Sequence, residues 1–499
     1  MQNPAFLYYT LLAIPPFFQY NRVQISTGGI VIKASTITRR DVLKAAAVPV
    51  VFSLGRDLLA NAAEPPPNIV FIVADDLGYA DLSCYGRRDY QTPNIDRLAA
   101  EGMKFTSAYA NSSVCSATRT ALITGRYQYR IPVGLEEPLG MKEVGIPKGH
   151  PTLPSVLKKA GYGTTLIGKW HLGSSPDYLP TKCGYDHFWG FRGGGVDYFS
   201  HKFSTRKEDP TDLWDDDQRI DPKGYITDLF GDRAVKVIND YAKTKQPFFL
   251  SLHFNAPHWP WEGPGDEDVS KNLRSLYHLD GGSQKTYAQM VRQLDLQVGR
   301  VMQTLQSRGI SKRTIVIFTS DNGGERFSDR WPFTGMKTEL LEGGLRVPAL
   351  VRWPGHIRAG SVTDQAAITM DWAPTLFEFA GTRPDPDCPP DGVSLAPVLV
   401  RNEAPIRRKL YWRYKFNGQR AVRDGEMKWL KIGENQFLFN VVEDPLERAN
   451  LKDVHPDVHK RMAADYEAWN ATMLPEDPKA ASVGWTADQL ADHYNAKTK

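Results

Sequence analysis

Cysteine is scarce in this chain, with four in 499 residues. So few exclude a small disulfide-held scaffold, and no cysteine–histidine cluster has the spacing of a zinc site. Long apolar runs are also missing. Residues 5–18 are apolar but are broken by Pro15 and Pro16, and the stretch is too short to cross a bilayer. No permanent membrane span is therefore expected. An excess of one charge is missing as well. The formal charge is +4, from 61 basic and 57 acidic residues; positions 1–62 hold six of the former and two of the latter, so 55 of each sign remain. A balanced body gives no reason to expect a nucleic-acid partner. What is present is ordinary for a folded protein: 41% hydrophobic and 24% charged residues. At roughly 100–200 residues per domain, the chain makes one large domain or a few smaller ones.

The amino-terminal segment has the layout of an address. Thr38-Arg39-Arg40-Asp41-Val42-Leu43-Lys44 resembles a twin-arginine export motif. An apolar run, residues 45–54, follows, then Ala60-Asn61-Ala62 as a cleavage site and Glu64-Pro65-Pro66-Pro67. This predicts an export signal over 1–62 that is removed, the twin-arginine export machinery as a partner, and a periplasmic or secreted bacterial protein. Residues 1–35 fit poorly ahead of such a signal, which suggests a translation start near Val31.

Beyond it, strands and helices alternate. Asn68–Ala74 (NIVFIVA) is a continuous apolar run, as in a strand buried on both faces. Residues 164–167, 248–254, 314–319 and 347–351 are similar. Helical patterns lie over 92–102, 152–160 and 283–308, the last with Tyr287, Met290, Val291, Leu294, Val298, Val301, Met302 and Leu305 mostly at three- and four-residue steps. That stripe is core packing, and needs no functional explanation. The pattern predicts an α/β fold with a large, mostly parallel central sheet between helices. After about residue 400 the pattern becomes short strands at 409–413, 418–423, 428–433 and 437–441, then a polar helix at 456–472. This predicts a small C-terminal antiparallel sheet plus helix. The divisions are 1–62, a catalytic domain at 63–400 and a C-terminal α+β subdomain at 401–499. Residues 384–390 are a proline-rich loop.

Two strands end in acidic pairs. Asp75-Asp76 follows the run at 68–74, and Asp321-Asn322 follows the one at 314–320. Each pair alone fits a turn or a helix cap equally well. Both together, at the carboxyl ends of strands, favour a shared ligand site. Three carboxylates and an amide are hard oxygen donors, suited to Ca²⁺ or Mg²⁺. A second set carries positive charge. Cys115-Ser116-Ala117-Thr118-Arg119 opens a helical stretch at 117–123 that ends at Gly125, with Arg119 one turn on from Cys115; a helix amino terminus favours anions. Lys169, His171, His258 and Lys337 lie just after strand-like or loop segments. Singly each is an ordinary surface or packing residue. Together they describe a cationic pocket beside a divalent metal.

The motifs these residues belong to resemble those of the type I sulfatases, in the alkaline phosphatase superfamily. Cys115-Ser116-Ala117-Thr118-Arg119 with Ala121-Leu122-Ile123-Thr124-Gly125-Arg126 is similar to the family's modification site. Gly168-Lys169-Trp170-His171-Leu172-Gly173, Asp321-Asn322-Gly323-Gly324 and Glu342-Gly343-Gly344 resemble further signatures, and Phe437-Leu438-Phe439-Asn440 with Glu443-Asp444-Pro445-Leu446-Glu447 resembles the carboxy-terminal one. The resemblance spans about residues 68–451. It departs at Ala117, where proline is commoner, which leaves open which formylglycine-generating enzyme matures the chain.

The resemblance implies an alkaline-phosphatase-like fold and an arylsulfatase-like sulfuric ester hydrolase that splits an aryl or carbohydrate sulfate monoester into alcohol and sulfate. It implies that Cys115 becomes formylglycine, and that Ca²⁺ is held by Asp75, Asp76, Asp321, Asn322 and the modified Cys115. Arg119 would activate the nucleophile, Lys169 and Lys337 would neutralise the sulfuryl oxygens, His258 would protonate the leaving alcohol, and His171 would help to expel sulfate. His201 and Trp259 are weaker candidates for contact with the organic part of the substrate. Two other readings stand beside this one: a phosphonate monoester or phosphodiester hydrolase on the same fold, and a non-catalytic binding protein with Cys115 left as a thiol. Cys84, Cys183 and Cys388 cannot all pair with one another; one disulfide plus a thiol, or three buried thiols, both fit.

Overall fold

The computed structural model describes the backbone of residues 21–26 and 29–34 and the full chain of 65–140 and 142–493. The twin-arginine motif, the apolar run after it and Ala60-Asn61-Ala62 lie outside the described residues. The chain divides into two units, Met1–Pro65 and Pro66–Lys499. In the first, Asn21–Ser26 pairs antiparallel with Gly29–Ala34. Val23 and Ile25, and Ile30 and Ile32, fit the two-residue period of strands.

The second unit is built on a ten-stranded sheet. Its strands are β1 (Asn68–Ala74), β2 (Met103–Phe105), β3 (Gly163–Lys169), β4 (His187–Phe191), β5 (Trp214–Asp215), β6 (Gln218–Arg219), β7 (Phe248–His253), β8 (Thr314–Ser320), β9 (Ala349–Arg352) and β10 (Ser361–Thr363). In space they run β10-β2-β9-β8-β1-β7-β3-β4-β5-β6. The central strands β8, β1, β7, β3 and β4 are parallel. The run expected around 347–351 is β9, antiparallel to both β8 and β2. Its apolar pattern predicted a strand but carried no information about direction.

Helices α1 (Pro93–Ala100), α2 (Cys115–Thr124), α3 (Leu153–Lys159), α4 (Ile226–Thr244), α5 (Gln284–Ser307) and α6 (Trp372–Phe379) cover the sheet. Alternate residues of β1 feed opposite cores, as a strand buried on both faces must. Ile69, Phe71 and Val73 pack with Leu122 and Ile123 of α2, Leu157 of α3 and Leu376 of α6. Val70, Ile72 and Ala74 pack with Ile95 of α1, Phe230 of α4 and Leu294 and Val298 of α5. Burying each such large apolar side chain contributes about 1.5–3 kcal/mol. The α5 stripe lies in this core as expected, and the Ser283 hydroxyl caps the helix by accepting from Thr286 N at 3.1 Å.

The C-terminal sheet is a meander of β11 (Lys409–Tyr414), β12 (Gln419–Asp424), β13 (Met427–Ile432) and β14 (Asn435–Asn440), with α7 (Pro456–Asn470) on one face. Its other face packs Leu410, Trp412, Leu430 and Phe439 against Ala117 and Ala121 of α2. Helix α2 is thus enclosed on every side, and all ten of its residues are buried. A buried ion cluster ties the C-terminal sheet to the Glu342-Gly343-Gly344 motif. Lys428 Nζ lies 3.0 Å from Glu342 Oε1 and 2.9 Å from Glu447 Oε1. Burial would raise the Glu342 carboxyl, but Lys428, Arg346 and Arg423 hold it down at about 2.

No helix among the described residues is long and apolar enough to cross a membrane. All four cysteines are free thiols, Cys183 buried and Cys84 and Cys388 half-buried.

Glu262 sits fully inside this fold, where it accepts from Tyr198 N at 3.1 Å. Burial, and then Asp197, push its carboxyl up to about 9. Between the unfolded carboxylate range, about 4.3, and that value, the folded state keeps a proton that the unfolded state has lost. Stability therefore falls as pH rises through this window. Glu262→Gln removes the titration but keeps an acceptor. The variant is expected to melt above wild type at pH 8, with the gap closing by pH 5. Equal melting gaps at both pH values would refute the assignment.

Candidate active site

Four adjacent parallel strands, β8, β1, β7 and β3, end on one edge of the sheet, and each delivers a polar group there. Asp75 and Asp76 leave β1, Asp321 and Asn322 leave β8, Lys169 ends β3, and the turn after β7 carries His258. Crevices beyond strand carboxyl ends are where open parallel sheets bind ligands. The amino terminus of α2, with Cys115 as its first residue, points at the same place, since Cys115, Asp75 and His258 cluster within bonding range of one ion.

The carboxylates are fully buried and held by backbone and cations. Asp76 adopts a left-handed φ of 61°, a conformation that costs energy for a residue with a Cβ. Its amide donates to Asp321 Oδ1 at 3.2 Å. Arg119 reaches from α2, with Nη2 2.8 Å from Asp321 Oδ2 and 3.8 Å from Asp75 Oδ1. Lys169 Nζ lies 2.6 Å from Asp75 Oδ2, and Lys337 Nζ lies 2.6 Å from Asp76 Oδ2. Burial, and the neighbouring Asp321 and Asp76 charges, raise Asp75 well above the usual carboxylate range against Lys169 and Arg119. Asp321 is also subject to burial, yet Arg119 and Lys169 bring it below that range. Burial alone would lower Lys337, but Asp76 outweighs it and the amine stays protonated.

One carboxylate oxygen each from Asp75, Asp76 and Asp321 lie within 4.8 Å of one another. Asp75 Oδ1 and Asn322 Oδ1 are buried without a hydrogen-bond partner, while Asn322 Nδ2 donates to Asp76 Oδ1 at 2.7 Å. Buried polar oxygens are normally satisfied. Unpartnered oxygens of this hardness, in and beside a cluster of three carboxylates, fit a divalent cation such as Ca²⁺ or Mg²⁺.

The histidines are oriented by carbonyls. His171 Nε2 lies 2.8 Å from Leu139 O. A carbonyl only accepts, so Nε2 carries the hydrogen and Nδ1, buried and unpartnered, presents a lone pair. His258 Nδ1 lies 2.7 Å from Trp259 O, so its Nε2 faces the site, 3.7 Å from Asp76 Oδ2. Burial, and then Lys169 for His171 and Lys337 for His258, hold both imidazoles well below the usual histidine range. Glycines make room for them. A Cβ at Gly194 would lie 2.8 Å from the His171 ring, and one at Gly195 would lie 3.0 Å from His258 Cε1.

Lys337 owes its place to the two glycine motifs. Its amide donates to Gly324 O at 3.1 Å, Gly343 N donates to Thr334 O at 2.7 Å, and Gly323 N donates to Gly344 O at 3.0 Å. A Cβ at Gly343 would lie 2.4 Å from Gly335 O, too close for any other residue. The Glu342 motif is therefore structural, a tie to Lys428 and a cradle for the Lys337 loop.

The structure thus brings together Asp75, Asp76, Cys115, Arg119, Lys169, His258, Asp321, Asn322 and Lys337, with His171 on the same side beside Gly194. Of the two weaker candidates, Trp259 lies against His258, ring centroids 4.0 Å apart, and is half-buried. His201 is fully buried, its Nε2 bonded to Gly224 O at 3.0 Å, and offers no surface to a substrate. Trp261 is core, against Tyr287 and Phe327. Two site residues were not anticipated. His253, at the end of β7, contacts Arg119 and Lys169 O, both at 3.2 Å. Glu325 is buried near Lys337, and burial raises its carboxyl to about 7. Its position directly after Asp321-Asn322-Gly323-Gly324 was the available signal. Burial also raises the Cys115 thiol, only partly offset by Lys169 and Lys337, so the unmodified thiol is a poor nucleophile.

Comparison with known proteins agrees with this geometry. The Sulfatase family model matches residues 67–382, and a model described as N-sulphoglucosamine sulphohydrolase, C-terminal, matches residues 336–470. The N-acetylgalactosamine-6-sulfatase of Rattus norvegicus is 35% identical over 402 residues, covering 76% of this chain and 74% of that protein. Arylsulfatase A of Homo sapiens is 33% identical over 399 residues, covering 74% and 75%. The crystal structure of Ps i-CgsB in complex with k-i-k-neocarrahexaose superposes with a TM-score of 0.76 at 31% identity, covering 84% of this chain and 95% of that one. The chain belongs to the type I sulfatase family of the alkaline phosphatase superfamily and is a sulfuric ester hydrolase.

Proposed function

We propose that the protein hydrolyses a carbohydrate sulfate monoester, using formylglycine made from Cys115 and a Ca²⁺ ion. The observation that carries the metal is the pair of orphan oxygens, Asp75 Oδ1 and Asn322 Oδ1, in a cluster of three carboxylates. The carbohydrate is favoured by two similar proteins, one named for an N-acetylgalactosamine sulfate and one solved with a neocarrahexaose.

Asp75, Asp76, Asp321 and Asn322 would hold Ca²⁺, which supplies a Lewis acid for the nucleophile and the sulfuryl oxygens. The modified residue 115 would supply, as a hydrated aldehyde, one hydroxyl to attack sulfur and a second whose deprotonation releases sulfate. The remaining work falls to the chain's own side chains. With Asp75, Asp76 and Asp321 all ionised around a bound divalent ion, the three carboxylates would offset Arg119, Lys169 and Lys337, and the ion would leave the site net positive, as an anionic ester requires. Lys169 and Lys337 then face the sulfuryl oxygens. His171 Nδ1 is a neutral, unpartnered base suited to taking the proton in the release step. His258 Nε2 must gain a proton before it can give one to the leaving alcohol, and the incoming negative charge favours that protonation. Residues 1–62 would be the removed export signal of a bacterial periplasmic or secreted enzyme, 63–400 the catalytic domain and 401–499 the C-terminal subdomain. Its partners would be a maturation enzyme and the twin-arginine export machinery.

The test is turnover of 4-nitrophenyl sulfate beside bis(4-nitrophenyl) phosphate and a phenylphosphonate ester. Sulfate-ester hydrolysis should lead, with the Cys115 peptide about 18 Da lighter than its cysteine form, outside the ordinary oxidation ladder. Preference for a phosphorus ester would transfer the chain to the phosphonate or phosphodiester hydrolases. An unmodified Cys115 in active protein would sink the formylglycine reading.

A further inference from the structure

Beside His171 lies a cavity of about 170 Å³ lined by Leu139, Lys142, Arg192, Gly194, Phe203 and Asp212, among others. It is smaller than the roughly 300–1,000 Å³ of a whole ligand pocket, and suits one ring. Gly194 forms the wall it shares with the His171 imidazole, so the cavity adjoins the site of sulfate release.

Its charges are not equally engaged. Lys142 is paired with Glu136 at 2.8 Å and also donates to Lys479 O at 2.7 Å. The Asp212 oxygens accept from Gly193 N at 2.8 Å and Trp214 Nε1 at 2.7 Å. Arg192 differs. Its guanidinium lies 3.5 Å from the Trp214 ring centroid and makes one long bond, Nη2 to Asp216 O at 3.3 Å. Its Nε is buried without a partner. Among the described residues, no carboxylate is within ion-pair distance of it. Stacking fixes the plane of the fork while leaving donors unspent, which is how arginine is set to take a carboxylate or sulfate. At the rim, Phe203 is 42% exposed, a large apolar face in the position to cover a sugar ring.

We propose that this cavity is the subsite for the saccharide ring next to the scissile sulfate, and that Arg192 binds a second anionic substituent of the substrate. The proposal rests on the carbohydrate sulfate reading above and narrows it to substrates with two anionic groups. The second group is a carboxylate or a sulfate, and Arg192 serves either.

The experiment compares wild type, Arg192→Gln and Arg192→Lys on 4-nitrophenyl sulfate, a neutral sulfated hexose, the same hexose joined to a uronic acid, and the same hexose bearing a second sulfate. On at least one of the two doubly anionic sugars, Arg192→Gln should lose about 10- to 100-fold in kcat/KM beyond its loss on the neutral hexose. The loss should lie mainly in KM, and Arg192→Lys should recover part of it. The sugar that suffers identifies the substituent. Equal losses on every substrate, or no extra loss on either doubly anionic sugar, overturn the proposal. If wild type hydrolyses none of the sugars, the carbohydrate reading has failed as an activity, and calorimetric binding to Cys115→Ala protein decides the subsite. Tighter binding of a doubly anionic sugar that is lost on adding Arg192→Gln supports it; equal binding refutes it.

Discussion

Cys115→Ala protein is expected to turn over 4-nitrophenyl sulfate at least about 10,000-fold more slowly than wild type, the scale on which removing a covalent nucleophile acts. The expectation rests on where residue 115 sits. It is the first residue of α2, whose unpaired amide groups and positive dipole end face the carboxylate and lysine cluster. The neighbouring groups are placed for other work: His171 and His258, oriented by Leu139 O and Trp259 O, carry protons, and the lysines are bound to Asp75 and Asp76. The side chain is small and already buried, so folding should survive, and an unchanged melting temperature makes the loss interpretable. A variant that keeps a tenth of the activity would mean that water attacks the ester directly, with the cations alone providing the catalysis.

The second large effect is on stability as well as rate. Arg119→Met leaves Asp321 and Asp75 buried with one less cation, and removing one partner of a buried pair costs about 3–5 kcal/mol. Arg119 is 1% exposed and its Nε also donates to Asp321 Oδ2 at 3.0 Å, so water cannot replace it. Urea denaturation should show a lower midpoint with an unchanged slope, and activity should be lost. Adding Asp321→Asn neutralises the stranded carboxylate. The double variant is expected to regain most of the stability and none of the activity, because neighbouring charges do not act additively. A single variant as stable as wild type would show that Lys169 and Lys337 alone balance the carboxylates.

Much of the site was legible in the chain because its parts lie at the ends of strongly patterned elements. A seven-residue apolar run such as Asn68–Ala74 has no polar break, so its boundary fixes Asp75 and Asp76 at a strand end. The same holds for Thr314–Ser320 and Asp321. Cys115 was legible as a helix start, although α2 shows no amphipathic stripe, because the sheet and the C-terminal meander enclose it from both sides. Helix α4 was not anticipated. Its four-residue step, Ile226, Phe230, Ala234 and Ile238, was present but diluted by Gly231, Val235 and Val237, residues of weak helix propensity. Strand β4, which ends just ahead of Arg192, was missed as well.

The sequence by itself determined the family, the acidic and amide residues of the site and the strand ends that carry them, since each is a local fact about residue type and run length. Tertiary structure alone decided the rest. Strand order brought β8, β1, β7 and β3 side by side, so that residues as far apart as Asp75 and Asp321 meet. It reversed β9, turned His201 inward, tied Glu342 to Lys428 and set Lys337 over Asp76 through glycines that let backbones touch. The reason is physical. Pairing direction, burial and close approach are properties of contacts between distant segments, and no local pattern encodes which distant segment will arrive.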